Sequence, residues 1–251
     1  KIAFEKAGII KPNVPVIIGQ QPYKEALEVL INQAKKLEAP AFVYKQDWNI
    51  KQNENKICYS DEEGEIFLDP LNINGEFQLY NLGLAIASTR KIENQNIKNA
   101  LSHNPHLKIK LPGRIQQINN GKYFKLISPQ NELFLDGSHN EDAAFQLNLA
   151  MQNMPQVKDL VMIIGMINTK DPINYVKQLK GLVAIKTITI PDEVSAIPAE
   201  QLSSKLTGLV SEVSQANSIE EAIRSLSNEY PQARILICGS LYLAGQVLKY
   251  N

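Results

Sequence analysis

Apolar positions along this chain fall into two rhythms. Short, nearly continuous apolar runs bounded by turn formers mark buried strands, and runs with helical spacing mark amphipathic helices. Lys1–Lys6 reads as a helix end, with Gly8 as a left-handed cap. Val14–Gly19 reads as a short strand with Pro15 near its start, and Ala41–Tyr44 as a second strand. Between them, Leu27, Leu30, Ile31, Ala34 and Leu37 trace one helical face. Lys56–Tyr59 and Glu65–Leu68 flank Asp61-Glu62-Glu63-Gly64, a hairpin pattern. A helix is expected over Gln78–Arg90, with Leu79, Leu82, Leu84, Ala85 and Ile86 mostly inward, and a shorter one near Ile97–Leu101.

The stretch Ser102–Lys110 is polar, contains proline and has no clear period, so a domain boundary belongs there. Beyond it strands and helices alternate. Leu133–Leu135 is a buried strand that stops at Asp136, and Ala143, Ala144, Leu147, Ala150 and Met151 form the inner face of a following helix. Leu160–Met166 is a strand, Ile173–Leu182 a helix and Lys186–Ile190 a strand. Pro198 opens a helix that runs to Leu206, and Ser218 with Glu221 caps another. Arg234–Cys238 is the last strand, and Gly239-Ser240 turns into a final helix over Leu241–Leu248. Alternating β and α units with apolar strands predict an α/β fold with a mainly parallel, Rossmann-like sheet covered on both faces.

Composition narrows the partners. The 251 residues carry 26 basic and 26 acidic side chains, so neither a nucleic acid nor an anionic membrane is favoured electrostatically. No apolar run approaches membrane-spanning length. Cys58 and Cys238 lie in strand-like runs and read as reduced packing residues of a cytoplasmic protein. Only three histidines occur, and no Cys/His cluster suggests zinc. The chain opens on Lys1 inside a helical pattern, and the expectation is a fragment.

The densest chemistry sits after the Leu133–Leu135 strand, in Asp136-Gly137-Ser138-His139-Asn140. Ser138 and Glu141 have capping-box spacing, and a capped helix start aims N–H groups and a dipole at one point where an anion can sit. Taken alone, the loop also reads as ordinary turn and cap hydrogen bonding. In parallel sheets, however, ligands bind outside the C-terminal strand ends. Asp136, Met166–Asp171 and Gly239-Ser240 all fall at such ends, which favours a site.

Four strings recur in one order: IAFEKAGIIK at Ile2–Lys11, LPGR at Leu111–Arg114, DGSHN at Asp136–Asn140 and GSLYLAG at Gly239–Gly245. Together they resemble the folylpolyglutamate synthase/dihydrofolate synthase family of Mur-type ATP-dependent ligases. The resemblance implies the tail of a central ATP-binding domain over residues 1–107 and a complete C-terminal domain over residues 108–251. It implies ATP and Mg²⁺ as cofactors, a folate or dihydropteroate and L-glutamate as substrates, and a monomer. The implied reaction activates a carboxylate as an acyl phosphate, which the glutamate amine attacks. By the same resemblance Lys6 matches a carbamylated lysine that supplies an oxygen ligand near Mg²⁺. Asn81 matches an adenine contact, Arg114 an arginine that reaches ATP across the domain interface, and Asp136 a nucleotide-binding aspartate. His139 and Ser240 match contacts at the glutamate end. Lys170 and Asp171 match part of a D-K-D string whose first position here is Thr169, which leaves that segment without an assigned role.

The family's P-loop pattern G-x-x-x-x-G-K-[ST] is absent from these residues, so catalysis is expected of an intact parent protein and not of this stretch alone. The competing reading is a non-catalytic nucleotide- or folate-binding remnant. A nicotinamide dehydrogenase is disfavoured because no G-x-G-x-x-G follows a strand.

Overall fold

A computed structural model describes residues 1–53, 56–70, 75–92, 96, 110–154 and 158–251. The chain divides into two compact units, Lys1–Ile109 and Lys110–Asn251. The helix expected near Ile97–Leu101 lies outside the described residues. Among the described residues no helix is long and apolar enough to cross a membrane.

The first unit holds α1 (Ile2–Ala7), β1 (Val16–Ile18), α2 (Lys24–Lys36), β2 (Ala41–Val43), β3 (Trp48–Gln52), β4 (Ile57–Asp61), β5 (Gly64–Leu68) and α3 (Phe77–Arg90). β1 and β2 pair in parallel, and β3, β4 and β5 form an antiparallel sheet. Trp48, Ile50, Ile57, Tyr59 and Ile66 of that sheet pack with Leu82, Ile86 and Ala87 of α3. Ile2, Phe4, Ile9 and Val14 are exposed. Two expectations change here. Gly8 ends α1 in a right-handed conformation (φ −63°, ψ −15°), because its N–H still reaches back to Glu5 O, and that of Ile9 to Lys6 O, as in a continuing helix turn. Ala85 is exposed rather than inward, since the buried stripe of α3 runs through Gln78, Leu82, Gly83, Ile86 and Ala87.

The second unit holds β6 (Gln116–Gln117), α4 (Gly121–Phe124), β7 (Glu132–Leu135), α5 (Glu141–Gln152), β8 (Leu160–Ile164), α6 (Pro172–Lys177), β9 (Leu182–Thr187), α7 (Ala199–Leu206), β10 (Glu212–Gln215), α8 (Ile219–Glu229), β11 (Arg234–Cys238) and α9 (Leu241–Tyr250). One six-stranded sheet has the order β10-β9-β8-β11-β7-β6, parallel throughout except for β6. The strand period sorts side chains onto two faces. Leu133, Leu135, Val161, Ile163, Ile235 and Ile237 pack with α8 and α9. The alternate residues Phe134, Met162 and Leu236 are buried outside that cluster, on the face where Arg234 bonds the last turn of α5. There α5 packs on α6, and α6 on α7.

Two boundaries differ from expectation. The helix after β8 stops at Lys177, and the next strand already runs from Leu182 to Thr187. Pairing decides this: β9 lies parallel to β8 from Leu160↔Leu182 onward, and only this register buries Leu182, Ala184 and Ile185. Pro198 is the residue before the first turn of α7 rather than within it. The chain reaches β8 from β7, steps outward to β10, and then inserts β11 between β7 and β8. The helix after β7 covers one face and the helix after β11 the other. The crevice of the sheet therefore opens between these two strands at their C-terminal ends.

Candidate functional site

At that crevice the turn after β7 and the turn after β11 are bonded together. The Asp136 N–H donates to Ile237 O at 2.9 Å, and the Gly239 N–H donates to Ser138 O at 3.0 Å. Gly239 has φ +104°, and a Cβ there would stand 2.8 Å from Gly165 O, so no other residue fits the approach of the turns after β8 and β11. Ser240 then caps α9, its Oγ accepting the Tyr242 N–H at 3.0 Å.

The LPGR turn lies against the same loop. The Gly137 N–H donates to Gly113 O at 2.8 Å, and a methyl on Gly137 would sit 3.1 Å from Arg114 Nη1 and 2.3 Å from Leu241 Cδ2. Arg114 is exposed and takes part in no side-chain hydrogen bond or ion pair among the described residues. Asp136 is 4% exposed, and both its oxygens are engaged by backbone. Oδ2 accepts the Ile115 N–H and Oδ1 the Ser138 N–H, each at 2.8 Å. His139 is half-buried, and its Nδ1 lies 3.0 Å from Gly137 O. A carbonyl only accepts, so Nδ1 carries a proton, and in the neutral ring Nε2 keeps its lone pair for a ligand.

The capping box expected from Ser138 and Glu141 is not formed. Asn140 caps α5, accepting the Ala143 N–H at 2.9 Å. The Ser138 hydroxyl turns inward instead, 2.7 Å from the Tyr175 hydroxyl. Tyr175 is fully buried, and the Cys238 thiol neighbours it. Burial pushes the Tyr175 hydroxyl well above its ordinary 10.0 and the Cys238 thiol above 9.0, so both remain protonated under the loop. Neither residue was visible as a site neighbour in the sequence, since only the sheet brings α6 and β11 to this loop.

The remaining candidates are placed as follows. Asp171 caps α6, its Oδ1 accepting from Ile173 and Asn174 at 3.0 and 3.1 Å, a full structural use of that carboxylate. Lys170 stands beside it, half-buried. In the first unit Lys6 is exposed in the last turn of α1. Asn81 is exposed on α3, with its amide N–H donating to Gln78 Oε1 at 3.0 Å. The structure thus brings Arg114, Asp136, His139 and Ser240 together within the second unit.

Residues 119–250 match the family model described as dihydrofolate synthetase, C-terminal domain. The chain belongs to this family. It is 24% identical over 260 residues to the folylpolyglutamate synthase of Lacticaseibacillus casei, covering 98% of this chain and 56% of that protein. It is likewise 24% identical over 273 residues to the dihydrofolate synthetase of Saccharomyces cerevisiae, covering 100% of this chain and 61% of that protein. Among solved structures, a Mycobacterium tuberculosis folylpolyglutamate synthase complexed with ADP and AMPPCP superposes with a TM-score of 0.76 at 21% identity, over 99% of this chain and 58% of that one. At that identity the likeness is one of fold. The chain spans little more than half the length of these relatives.

Proposed function

We propose that the intact protein is a Mur-type ligase that uses ATP to join L-glutamate to the carboxylate of a folate or dihydropteroate through an acyl phosphate. In this reading residues 1–107 are the end of its ATP-binding domain and residues 108–251 its C-terminal domain. The observation that carries it is the convergence of an uncommitted Arg114 guanidinium and His139 on the crevice of a family domain.

Each residue then has a task set by its surroundings. Arg114 presents a permanently charged donor fork to phosphate oxygens, and nothing in the described protein has to be displaced first. The N-termini of α5 and α9 add partial positive charge at the same end of the sheet. Nε2 of His139 is free to accept a hydrogen bond or a proton from the glutamate ammonium, which must become a neutral amine before it attacks. Ser240 is committed to its helix cap, so its part is to hold the backbone after β11. Asn81 keeps its amide oxygen for an adenine amino group, and Lys6 as a carbamate would supply an oxygen to Mg²⁺. ATP, when bound, supplies the phosphoryl group that activates the carboxylate. Among the described residues no three carboxylate, imidazole or thiol groups converge, so they form no metal site of their own.

The test is turnover by the intact protein with ATP and a pteroate acceptor. Phosphate release should require L-glutamate, and the product should gain the mass of one glutamyl residue. Phosphate release indifferent to glutamate would overturn the ligase reading, and binding of nucleotide with neither phosphate release nor ligation would leave the non-catalytic reading standing instead.

A further inference from the structure

The Ser138 and Glu141 side chains, which the sequence pairs in a capping box, are both taken by the helix α6 and its C-terminal cap. The Tyr175 hydroxyl stands 2.7 Å from Ser138 Oγ, and Gln178 Nε2 donates to Glu141 Oε1 at 3.0 Å. Tyr175 and Gln178 are three residues apart at the end of α6, so they share one face of it. Ser138 and Glu141 are three residues apart as well, and the segment between them is His139-Asn140. One helix face thus grips the loop on both sides of the histidine. The two grips are unequal. Ser138 is 5% exposed and Tyr175 has no exposed surface, whereas the Gln178 bond lies open to solvent. Backbone bonds hold the same loop to β11, to its turn and to LPGR, and the Tyr175 bond ties it to the helical layer. The His139 ring is tied within the loop, through Nδ1 to Gly137 O, so it moves when the loop moves.

We infer that Tyr175 is a positioning residue for His139: by holding the Ser138 hydroxyl under the loop, it fixes where the imidazole Nε2 stands in the crevice. The inference rests on the proposed function for the identity of the substrate. The tie itself is a property of the second unit. A reacting group loses rate steeply when it is displaced by about 1 Å, and a buried side-chain bond beneath its loop resists such displacement. Tyr175→Phe keeps the ring that fills the space and removes the bond. Ser138→Ala removes the same bond from the other side.

The experiment is steady-state kinetics of the intact protein with a pteroate acceptor, glutamate and ATP being varied in turn, alongside amide exchange without ligand. Tyr175→Phe should lower kcat/KM for glutamate roughly 3- to 10-fold and leave the KM for ATP within about twofold of the native value. In a His139→Ala background the same change should add less than about twofold, because residues that act as one unit are not additive. A multiplicative effect, or an equal loss toward ATP, would show that Tyr175 serves the fold at large and would overturn the inference. Without ligand, the Ser138 amide should exchange faster in Tyr175→Phe relative to the amide of Val161, which lies in the core strand β8. An unchanged ratio would also overturn it. Gln178→Ala loses only the exposed bond and should stay within about twofold of the native protein in kcat/KM for glutamate. A greater loss there than in Tyr175→Phe would likewise overturn the inference. Should the native protein ligate no glutamate, the proposed function falls, while the exchange comparison still decides the tie. Ser138→Ala serves if Tyr175→Phe does not fold, and the same outcomes are expected of it.

Discussion

The two ends of the six-stranded sheet make opposite use of charge. The N-terminal end, around Gln130, Glu132, Lys158, Tyr230 and Gln232, carries a hollow of about 1050 Å³. Its cations are spent on structure. Glu132 holds Arg234 at 2.8 Å and Lys158 at 3.5 Å, and Lys158 also donates to Gln130 O at 2.6 Å. The C-terminal end has tight, interlocked turns, yet there the Arg114 guanidinium has no hydrogen-bond or ion-pair partner among the described residues. Recognition of an anion needs an available charge held in place, and volume alone does not supply it. The end that presents an available charge is the better candidate.

Breaking each end should therefore produce different losses. The largest is expected from Glu132→Ala, which leaves Arg234, whose side chain is only 6% exposed, without its carboxylate. Unfolding should become easier by about 3–5 kcal/mol, the range for removing one partner of a buried pair, and chemical denaturation measures it. Next comes Arg114→Ala, which should weaken ADP binding by about 2–3 kcal/mol with little change in stability. A smaller and differently directed effect is expected from His139→Ala. It should lower kcat/KM for glutamate by about tenfold or more while the KM for ATP stays nearly constant, as steady-state kinetics with each substrate varied in turn would show.

The smallest effect is alkaline. The Tyr175 hydroxyl and Cys238 thiol titrate higher in the folded protein than their ordinary 10.0 and 9.0 because both are buried. As pH rises past about 9 the unfolded chain loses these protons first, so the unfolded state binds fewer and stability declines with pH. Thermal unfolding between neutral pH and about pH 10 should show that decline, and Tyr175→Phe with Cys238→Ala should flatten it. An equally steep decline in the double variant would place its cause elsewhere.

What could be read from the chain depended on how local the cause was. β7 and β11 were legible because their apolar runs are continuous and end on Asp136 and Gly239. β10 was not, since Glu-Val-Ser-Gln at a sheet edge has only one apolar side chain. β3 was missed as well, because its alternation is cut short by Lys51 and Gln52. The S-x-x-E spacing at Ser138 satisfied a local rule, yet a tyrosine 37 residues away took the hydroxyl. The candidate residues could be named from short strings, but the bond from Asp136 to Ile115 belongs to the fold and has no local signature. The short strings supplied the candidates; only the assembled sheet shows which of them are exposed and which are engaged by the backbone.

The most direct test of this contrast is a calorimetric titration of ADP into the intact protein and two single variants, one from each end of the sheet. Arg114→Ala should raise Kd roughly 30- to 160-fold, the equivalent of 2–3 kcal/mol, while Lys158→Ala should leave it within about twofold of the native value. Equal losses in both variants, or a loss confined to Lys158→Ala, would contradict the assignment of nucleotide recognition to the C-terminal end.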